Sequence, residues 1–404
     1  MRIGMVSAEF PPDVGGVGDH TFHLARHLAA GGHAVQVITS ARPGSDSASI
    51  NSEPVPFREP GVVRGVARWD WRIFRILPAL ARRGGWDILH IQYQPGAYGL
   101  HPAINLLPTW MHRLGHAPAV VTTFHDLRVP YLFPKAGPLR RLTVRQLARA
   151  SHGAIAAAGD DYRQLLAWTA GQGRPAGQIG HIPLANQLDR EPPADFDRRA
   201  WRAGLGLPET RELVGHFGFV NRSKGVDALV QAIARLIMEG RDLSLLMVGD
   251  PLGSSDATNR AYLQTIQELI RSLGLTPRVR WTGLVTPEVL AGWLRCLDLA
   301  VLPFRDGASL RRTSLIAAWA HGVPVLTTAP ATPEELAHAR PVAAFVPGAD
   351  ADHLAPAMAA LLDDPKRRAA LGAAGRAYAA RFSWPAVVER TLAIYHAALA
   401  RSAA

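Results

Sequence analysis

The chain has 404 residues, enough for two or three domains, and its 48% hydrophobic and 19% charged content excludes a disordered polar chain. Formal net charge is +11, and 41 of the 44 basic residues are arginine, since only Lys135, Lys224 and Lys366 are lysine. The single cysteine, Cys296, excludes an intramolecular disulfide and a cysteine-based metal cluster.

The first apolar run, Ile3–Ser7, reads as a strand. A Pro/Gly loop from Pro11 to Gly18 follows it. A helix is expected over Asp19–Ala30, stopped by Gly31 and Gly32, and then a strand at Val35–Thr39. No charged segment precedes a long apolar core, and no run approaches the ~20 apolar residues of a membrane span. A soluble, cytoplasmic protein is therefore expected. Further strands are expected at Asp87–Gln92, Ala119–Thr123 and Gly153–Ala157. Strands alternating with helices predict a doubly wound parallel sheet.

Residues 186 to 208 are polar and proline-bearing and read as a linker between domains. The alternation then restarts. Leu213–Phe219 reads as a strand, and Val226, Leu229, Val230, Ile233, Leu236 and Ile237 form one face of a helix. Strands are expected at Leu243–Val248, Val279–Thr282, Leu299–Leu302 and Val323–Thr327, with a helix from about Ser309 to His321 before the last. Ser383-Trp384-Pro385 reads as the start of a final amphipathic helix. The reading is α/β: two Rossmann-like domains, residues 1–188 and 189–383, with helix 384–404 returning to the first.

Two loops can carry chemistry. Phe217 to Gly225 joins a strand to a helix through Arg222-Ser223-Lys224. Free N–H groups at the helix start, a lysine point charge and a planar guanidinium suit an anion such as phosphate. The loop Pro11-Pro12-Asp13-Val14-Gly15-Gly16-Val17-Gly18 lets a backbone approach a ligand, although a plain tight turn explains the glycines equally well. It lacks the dinucleotide pattern, and Thr39-Ser40 stands where a ribose-binding carboxylate belongs, so a nicotinamide cofactor is not expected.

In order, the motifs are Gly15-Gly16-Val17 after a proline-rich loop, Lys224-Gly225, Val248-Gly249-Asp250, Gly283-Leu284-Val285, Ala320-His321-Gly322-Val323-Pro324-Val325 and Phe382-Ser383-Trp384. Together they resemble glycosyltransferase family 4, the nucleotide-sugar transferases of GT-B fold, along nearly the whole chain. The resemblance implies two lobes facing each other across a cleft, a retaining transfer and no bound metal. It implies no cofactor beyond a nucleotide diphosphate-sugar co-substrate. Lys224 and Arg222 are then expected on the diphosphate, Leu284 and Val285 on the base, and Gly16 near the diphosphate. His125 matches a histidine hallmark of the family; a loop histidine paired with Asp126 is the plainer alternative.

The chain departs from the family at the two glutamates spaced eight positions apart, which here are Ser309 and Ala317. The usual phosphate arginine falls on Phe219. Two accounts stay open. In one, Arg222, Arg311 and Arg312 replace the missing cation, a helix start at Ser309 and Leu310 offers free N–H groups, and Asp306 acts near the sugar. In the other, the site has lost its catalytic parts.

Arg64, Arg68, Arg72, Arg75, Arg82 and Arg83, with Trp69, Trp71 and Phe74 among them, and Arg141, Arg145 and Arg149 mark a basic surface in the first half. Such helices can lie on an anionic membrane and suit a lipid-linked or glycan acceptor; a solvated arginine face is the plainer alternative. No nucleic-acid recognition module occurs. The expected function is sugar transfer, with a silent sugar-nucleotide binder or a nucleotide-sugar epimerase as rivals.

Overall fold

The structure is a computed structural model and describes residues 1–13, 15–41, 60–114, 117–127, 137–171, 177–186, 188–208, 210–252, 257–331, 336 and 341–402. Val14 of the first glycine loop lies outside them. The chain divides into two compact units, Met1–Ala185 with Trp384–Ala404, and Asn186–Ser383.

In chain order the first unit contains β1 (Arg2–Val6), α1 (Gly16–Ala30), β2 (Ala34–Ser40), β3 (Gly61–Val66), α2 (Ile73–Gly84) and β4 (Ile88–Tyr93). It continues with α3 (Ala103–Met111), β5 (Ala119–Phe124), α4 (Gly137–Ala150), β6 (Gly153–Ala156), α5 (Gly159–Thr169) and β7 (Ile179–His181). The second unit contains α6 (Arg198–Gly204), β8 (Glu212–Phe217), α7 (Val226–Met238), β9 (Leu243–Val248), α8 (Ala257–Ser272), β10 (Val279–Trp281) and α9 (Pro287–Cys296). It ends with β11 (Leu299–Leu302), α10 (Thr313–Ala320), β12 (Val325–Thr328), β13 (Ala344–Val346), α11 (Ala351–Leu362) and α12 (Pro365–Ala379). The last helix, α13 (Trp384–Ser402), belongs to the first unit.

The first sheet has the order β3-β2-β1-β4-β5-β6-β7 and is parallel throughout. Alternation along each strand decides which layer a side chain joins. Ile3, Met5 and Ile88 enter a core with Leu24 and Leu28 of α1 and Ile394 and Tyr395 of α13. Val6, Leu89 and Ile91 enter the opposite core with Leu77 of α2, Leu107 of α3 and Leu147 of α4. Each such large apolar side chain contributes about 1.5–3 kcal/mol when fully buried. Gly153 allows α13 to lie this close, because a Cβ there would sit 2.8 Å from Ile394 Cγ2.

The second sheet has the order β10-β9-β8-β11-β12-β13, again parallel. Val214, Leu245 and Val301 pack under α7 and α11, and Leu213, Leu246 and Leu302 pack against α9 and α10. In each sheet the strand order reverses beside the first strand, between β1 and β4 and between β8 and β11. That reversal opens a crevice at the carboxyl ends of the strands, the place where parallel α/β sheets bind ligands.

Several expectations change. The helix expected from Ser309 begins at Thr313, because Gly307 takes a positive φ of 84° and Arg312 N–H bonds Ser309 O, which turns residues 305–312 first. The expected linker holds α6, capped by Asp197, whose carboxylate accepts from Ala200 N at 2.6 Å. Arg64 belongs to β3, and Trp69 is buried with its indole N–H on Ser40 Oγ at 2.9 Å, so neither forms part of an exposed basic helix. The short strands β3, β7 and β13 escape a reading by periodicity.

Candidate functional site

In the second unit the switch-point crevice is built by the turn after β8 and the turn after β11. The backbone leaves β8 at Phe217, turns at Gly218, and makes a short 3-10 turn over Arg222–Lys224 before α7. Gly225 at φ 62° is required twice over: any side chain is strained there, and a Cβ would lie 2.2 Å from Pro303 O. Arg305 N donates to Ser223 O at 2.9 Å, which ties the two turns together.

Lys224 is half-buried at the end of the 3-10 turn. Its ammonium donates to Ser314 Oγ at 3.3 Å and stands 4.9 Å from the Phe304 ring centroid. Arg312 places its guanidinium 4.8 Å from the same ring and pairs with Asp306. Burial first, then the Arg312 charge, lower the Lys224 pKa to about 7, against a smaller opposing pull from Asp306. A lysine with its pKa lowered in a crevice is a candidate for a functional group. Phe304 attracts both cations through its ring quadrupole. Beneath them His216 is buried, with Nδ1 3.3 Å from Val301 O and Nε2 without a hydrogen-bond partner. Desolvation, then Lys224, lower its pKa to about 3, so it is neutral.

The other expected donor-side residues distribute as follows. Arg222 is exposed and reaches the ring of Tyr262 at 6.0 Å; Tyr262 Oη donates to Asp227 Oδ1 at 2.8 Å. Asp306 is held by Arg312 in an ion pair. Ser309 and Arg311 are half-buried, and Leu310 turns its side chain into the core beside Ala317. Ser309 and Leu310 thus precede α10, whose first residues are Thr313 and Ser314 and whose N-cap, Arg312, makes no side-chain cap bond. Leu284, 85% exposed, and Val285 follow β10 at the same carboxyl edge of the sheet. Thr282 Oγ1 accepts from Gly249 N at 2.8 Å and joins that turn to the one after β9.

In the first unit the crevice beside β1 and β4 carries the second group. Gly16 opens α1, with Gly15 as an extended N-cap and open space where a Gly16 Cβ would be. The Glu9 carboxyl beneath Gly15 is held above its usual range by burial and then by Asp13 and Asp19. His125 follows β5 and anchors its backbone N on Tyr93 O at 3.0 Å. Its Nε2 donates to Gln92 Oε1 at 2.8 Å, and its ring meets His20 edge-on at 5.1 Å. Burial and the neighbouring His90 lower its pKa to about 3. His90 in turn has Tyr395 Oη 2.6 Å from Nδ1 and Thr123 Oγ1 2.8 Å from Nε2. On α1, His23 and His27 stack on Trp384.

Phe304, Ser314, His216, Gln92 and His90 escaped the sequence reading. A strand-end aromatic beside Arg305-Asp306, and polar residues inside otherwise apolar strands, were the available signals. Cys296 is an inert core thiol, pushed up to about 11 by burial. Among the described residues no group of His, Cys, Asp or Glu could hold a metal ion, and no helix is long and apolar enough to cross a membrane.

Two parallel, doubly wound units, each with a crevice at its switch point, define the GT-B architecture. The family described as Glycosyltransferase Family 4 matches residues 14–174, and that described as Glycosyl transferases group 1 matches residues 211–364. The chain belongs to these group 1, family 4 glycosyltransferases. It is 26% identical to the D-inositol 3-phosphate glycosyltransferase of Streptomyces avermitilis, over 98% of this chain and 88% of that protein. It is 33% identical to D-inositol 3-phosphate glycosyltransferase 1 of Catenulispora acidiphila over 50% of this chain and 48% of the relative. Among solved structures, Anabaena Alr3699/HepE in complex with UDP superposes with a TM-score of 0.73 at 17% identity, over 97% of this chain and 98% of that one. The sucrose-phosphate synthase of Thermosynechococcus elongatus superposes at 0.71 and 23% identity, over the full length of both chains.

Proposed function

We propose that this glycosyltransferase takes a hexosyl group from a nucleotide diphosphate-sugar bound by the second unit and passes it, with retention, to an acceptor bound by the first. The observation that carries the reading is Lys224, half-buried in the turn after β8, beside Arg312 on Phe304 and bonded to Ser314. Breaking the sugar–phosphate bond builds positive charge on the ring and negative charge on the departing diphosphate. Preorganised cations stabilise that separation, and losing one costs on the order of 10²–10³ in rate. Lys224, Arg222, Arg311 and Arg312 supply the positive charge in place of a metal, and uncapped N–H groups at the start of α10 add to it. Base contacts fall to Leu284 and Val285. His125 and Gly16 serve the sugar and acceptor side. UDP in the Anabaena neighbour favours a nucleoside diphosphate product, and inositol phosphate relatives favour a polar, hydroxyl-bearing acceptor group.

Exposed Arg72 at the N-cap of α2, Arg75, Arg82 and Arg83 on α2 and Arg141 and Arg145 on α4, with Trp71 and Trp110 nearby, support peripheral contact with an anionic membrane from the cytoplasm. A second reading, a silent sugar-nucleotide binder, is favoured by Ala317, which is buried in the core where the family carries a glutamate. Thermal shifts with UDP, GDP and ADP test the first reading, because a bound nucleotide raises stability by mass action. One nucleotide raises the melting temperature, and Lys224→Ala abolishes the rise. An unchanged shift in the variant removes the diphosphate from this crevice. Slow release of nucleoside diphosphate from a donor favours the enzyme; release from none favours the silent binder.

A further inference from the structure

A cavity of about 420 Å³ lies in the first unit, walled by α3, α4 and the loop after β4. Protein interiors are close-packed, and voids much larger than a water molecule are few. The volume falls within the usual range of ligand pockets, about 300–1,000 Å³. Tyr93, Tyr98, Ile104, Leu106, Leu127 and Val144 give it an apolar wall.

Tyr98, Asn105 and Thr143 of that wall already have hydrogen-bond partners. Tyr98 Oη donates to Gln92 O at 2.9 Å and lies 3.2 Å from Val6 O. Asn105 Nδ2 donates to Thr143 Oγ1 at 3.1 Å, and Thr143 Oγ1 donates to Arg140 O at 2.9 Å. An occupant therefore needs to offer these groups no hydrogen bond, and water, which needs two to four polar partners, is poorly served. An apolar cavity of about 150 Å³ already takes benzene; this one has room for a chain.

Its position and rim narrow the occupant. Tyr93 directly follows Gln92, and Leu127 lies two residues past His125, so the cavity adjoins the carboxyl edge of the sheet that bears His125. Leu139 on the rim is 65% exposed, and His101 on the rim touches the exposed Trp71 at 5.0 Å. Arg140 lines the cavity, and α4 carries Arg140, Arg141, Arg145 and Arg149 with no acidic residue. An apolar hollow with a cationic rim complements an anionic amphiphile.

We infer that this cavity binds the alkyl or isoprenoid chain of an anionic lipid acceptor, with the head group held at the Arg140 rim. The inference rests on reading the first unit as the acceptor side of the transferase.

The test uses the full chain and 11-(dansylamino)undecanoic acid, whose fluorescence rises in apolar surroundings. Saturable binding is expected, displaced by decanoate and not by acetate. Leu106→Trp, which fills the cavity from a partly exposed wall position, weakens the probe at least tenfold. Leu139→Asp, at an exposed rim residue that spares the fold, weakens it as well. Lys224→Ala, which removes the nucleotide shift, leaves the probe bound, so a failed donor assignment and a failed cavity assignment are distinguishable. Absence of saturable binding, displacement by acetate, or wild-type affinity in both cavity variants at unchanged melting temperature overturns the proposal.

Discussion

Lys224 holds its ammonium 4.9 Å from the ring of Phe304. The ring carries a second cation, Arg312, at 4.8 Å, and that guanidinium is anchored by Asp306. Two positive groups on one ring repel, and burial adds to the cost of charging the lysine. On the proposed reading, a bound diphosphate would relieve both penalties. The crevice thus gathers positive charge that an anion would neutralise.

A pH dependence follows. With a pKa of about 7 in the empty protein, Lys224 is charged below that value and neutral above it. Bound diphosphate raises the pKa. Affinity for the nucleotide that gives a thermal shift is then highest just below pH 7. It falls by up to about tenfold per pH unit as pH climbs toward the bound-state pKa, because one proton must be taken up. Stability of the empty protein moves the other way. The unfolded lysine keeps its ordinary pKa near 10.4, so this site makes folding more favourable as pH rises from 7 toward 10. Calorimetry from pH 6.5 to 9 reads the affinity, and a flat profile in wild type, or the same slope in Lys224→Arg, counts against the assignment.

Asp306→Asn isolates the anchor. The carboxylate raises the Lys224 pKa by its charge and holds Arg312. Its loss lowers the lysine further, so the affinity limb moves to lower pH. Turnover drops on the order of tenfold as Arg312 loses its partner. Asp306→Glu restores part of both. A limb at the wild-type midpoint in Asp306→Asn would show that the carboxylate does not act on Lys224.

Gly225→Ala tests how the turn is held. At φ 62° the alanine is strained by about 1–3 kcal/mol, and its Cβ would meet Pro303 O at 2.2 Å, backbone that cannot swing aside. Urea unfolding is expected to show a loss of at least that size, with nucleotide binding lost too because Lys224 is displaced. Lys224→Ala, by contrast, loses binding without a loss of stability. Wild-type midpoints for Gly225→Ala would mean that the two turns are not in contact.

Much of this architecture is legible along the chain because strands and helices are local signals. β9 and β11 occupy the expected residues, and most other expected strands differ by one or two at their ends. Turns within a polar stretch are less legible: Arg305-Asp306-Gly307 has a helix-compatible sequence after it, yet Gly307 and the Arg312-to-Ser309 bond delay α10 by a turn. What cannot be read locally is contact between distant positions. Ser314 meets Lys224 across 90 positions and Tyr395 meets His90 across 305. Neither has a periodicity that announces a partner.

The first-unit histidine group gives the last test. His125 donates through Nε2 to Gln92, with His20 edge-on and His90 behind. Its pKa near 3 keeps the ring neutral throughout the working range, with the proton fixed on Nε2 by the acceptor Gln92 Oε1. Gln92→Glu places a carboxylate 2.8 Å away in the same shape. Opposite charge at that distance favours the imidazolium and raises the His125 pKa, against the same burial. A titration then enters the range of about pH 5–8, visible in the His125 ring proton shift by NMR. Turnover gains a matching pH limb, falling where His125 becomes cationic. Gln92→Leu leaves Nε2–H buried without an acceptor and lowers turnover at every pH, with no such limb. If Gln92→Glu shows neither titration nor limb, Gln92 does not set the protonation of His125.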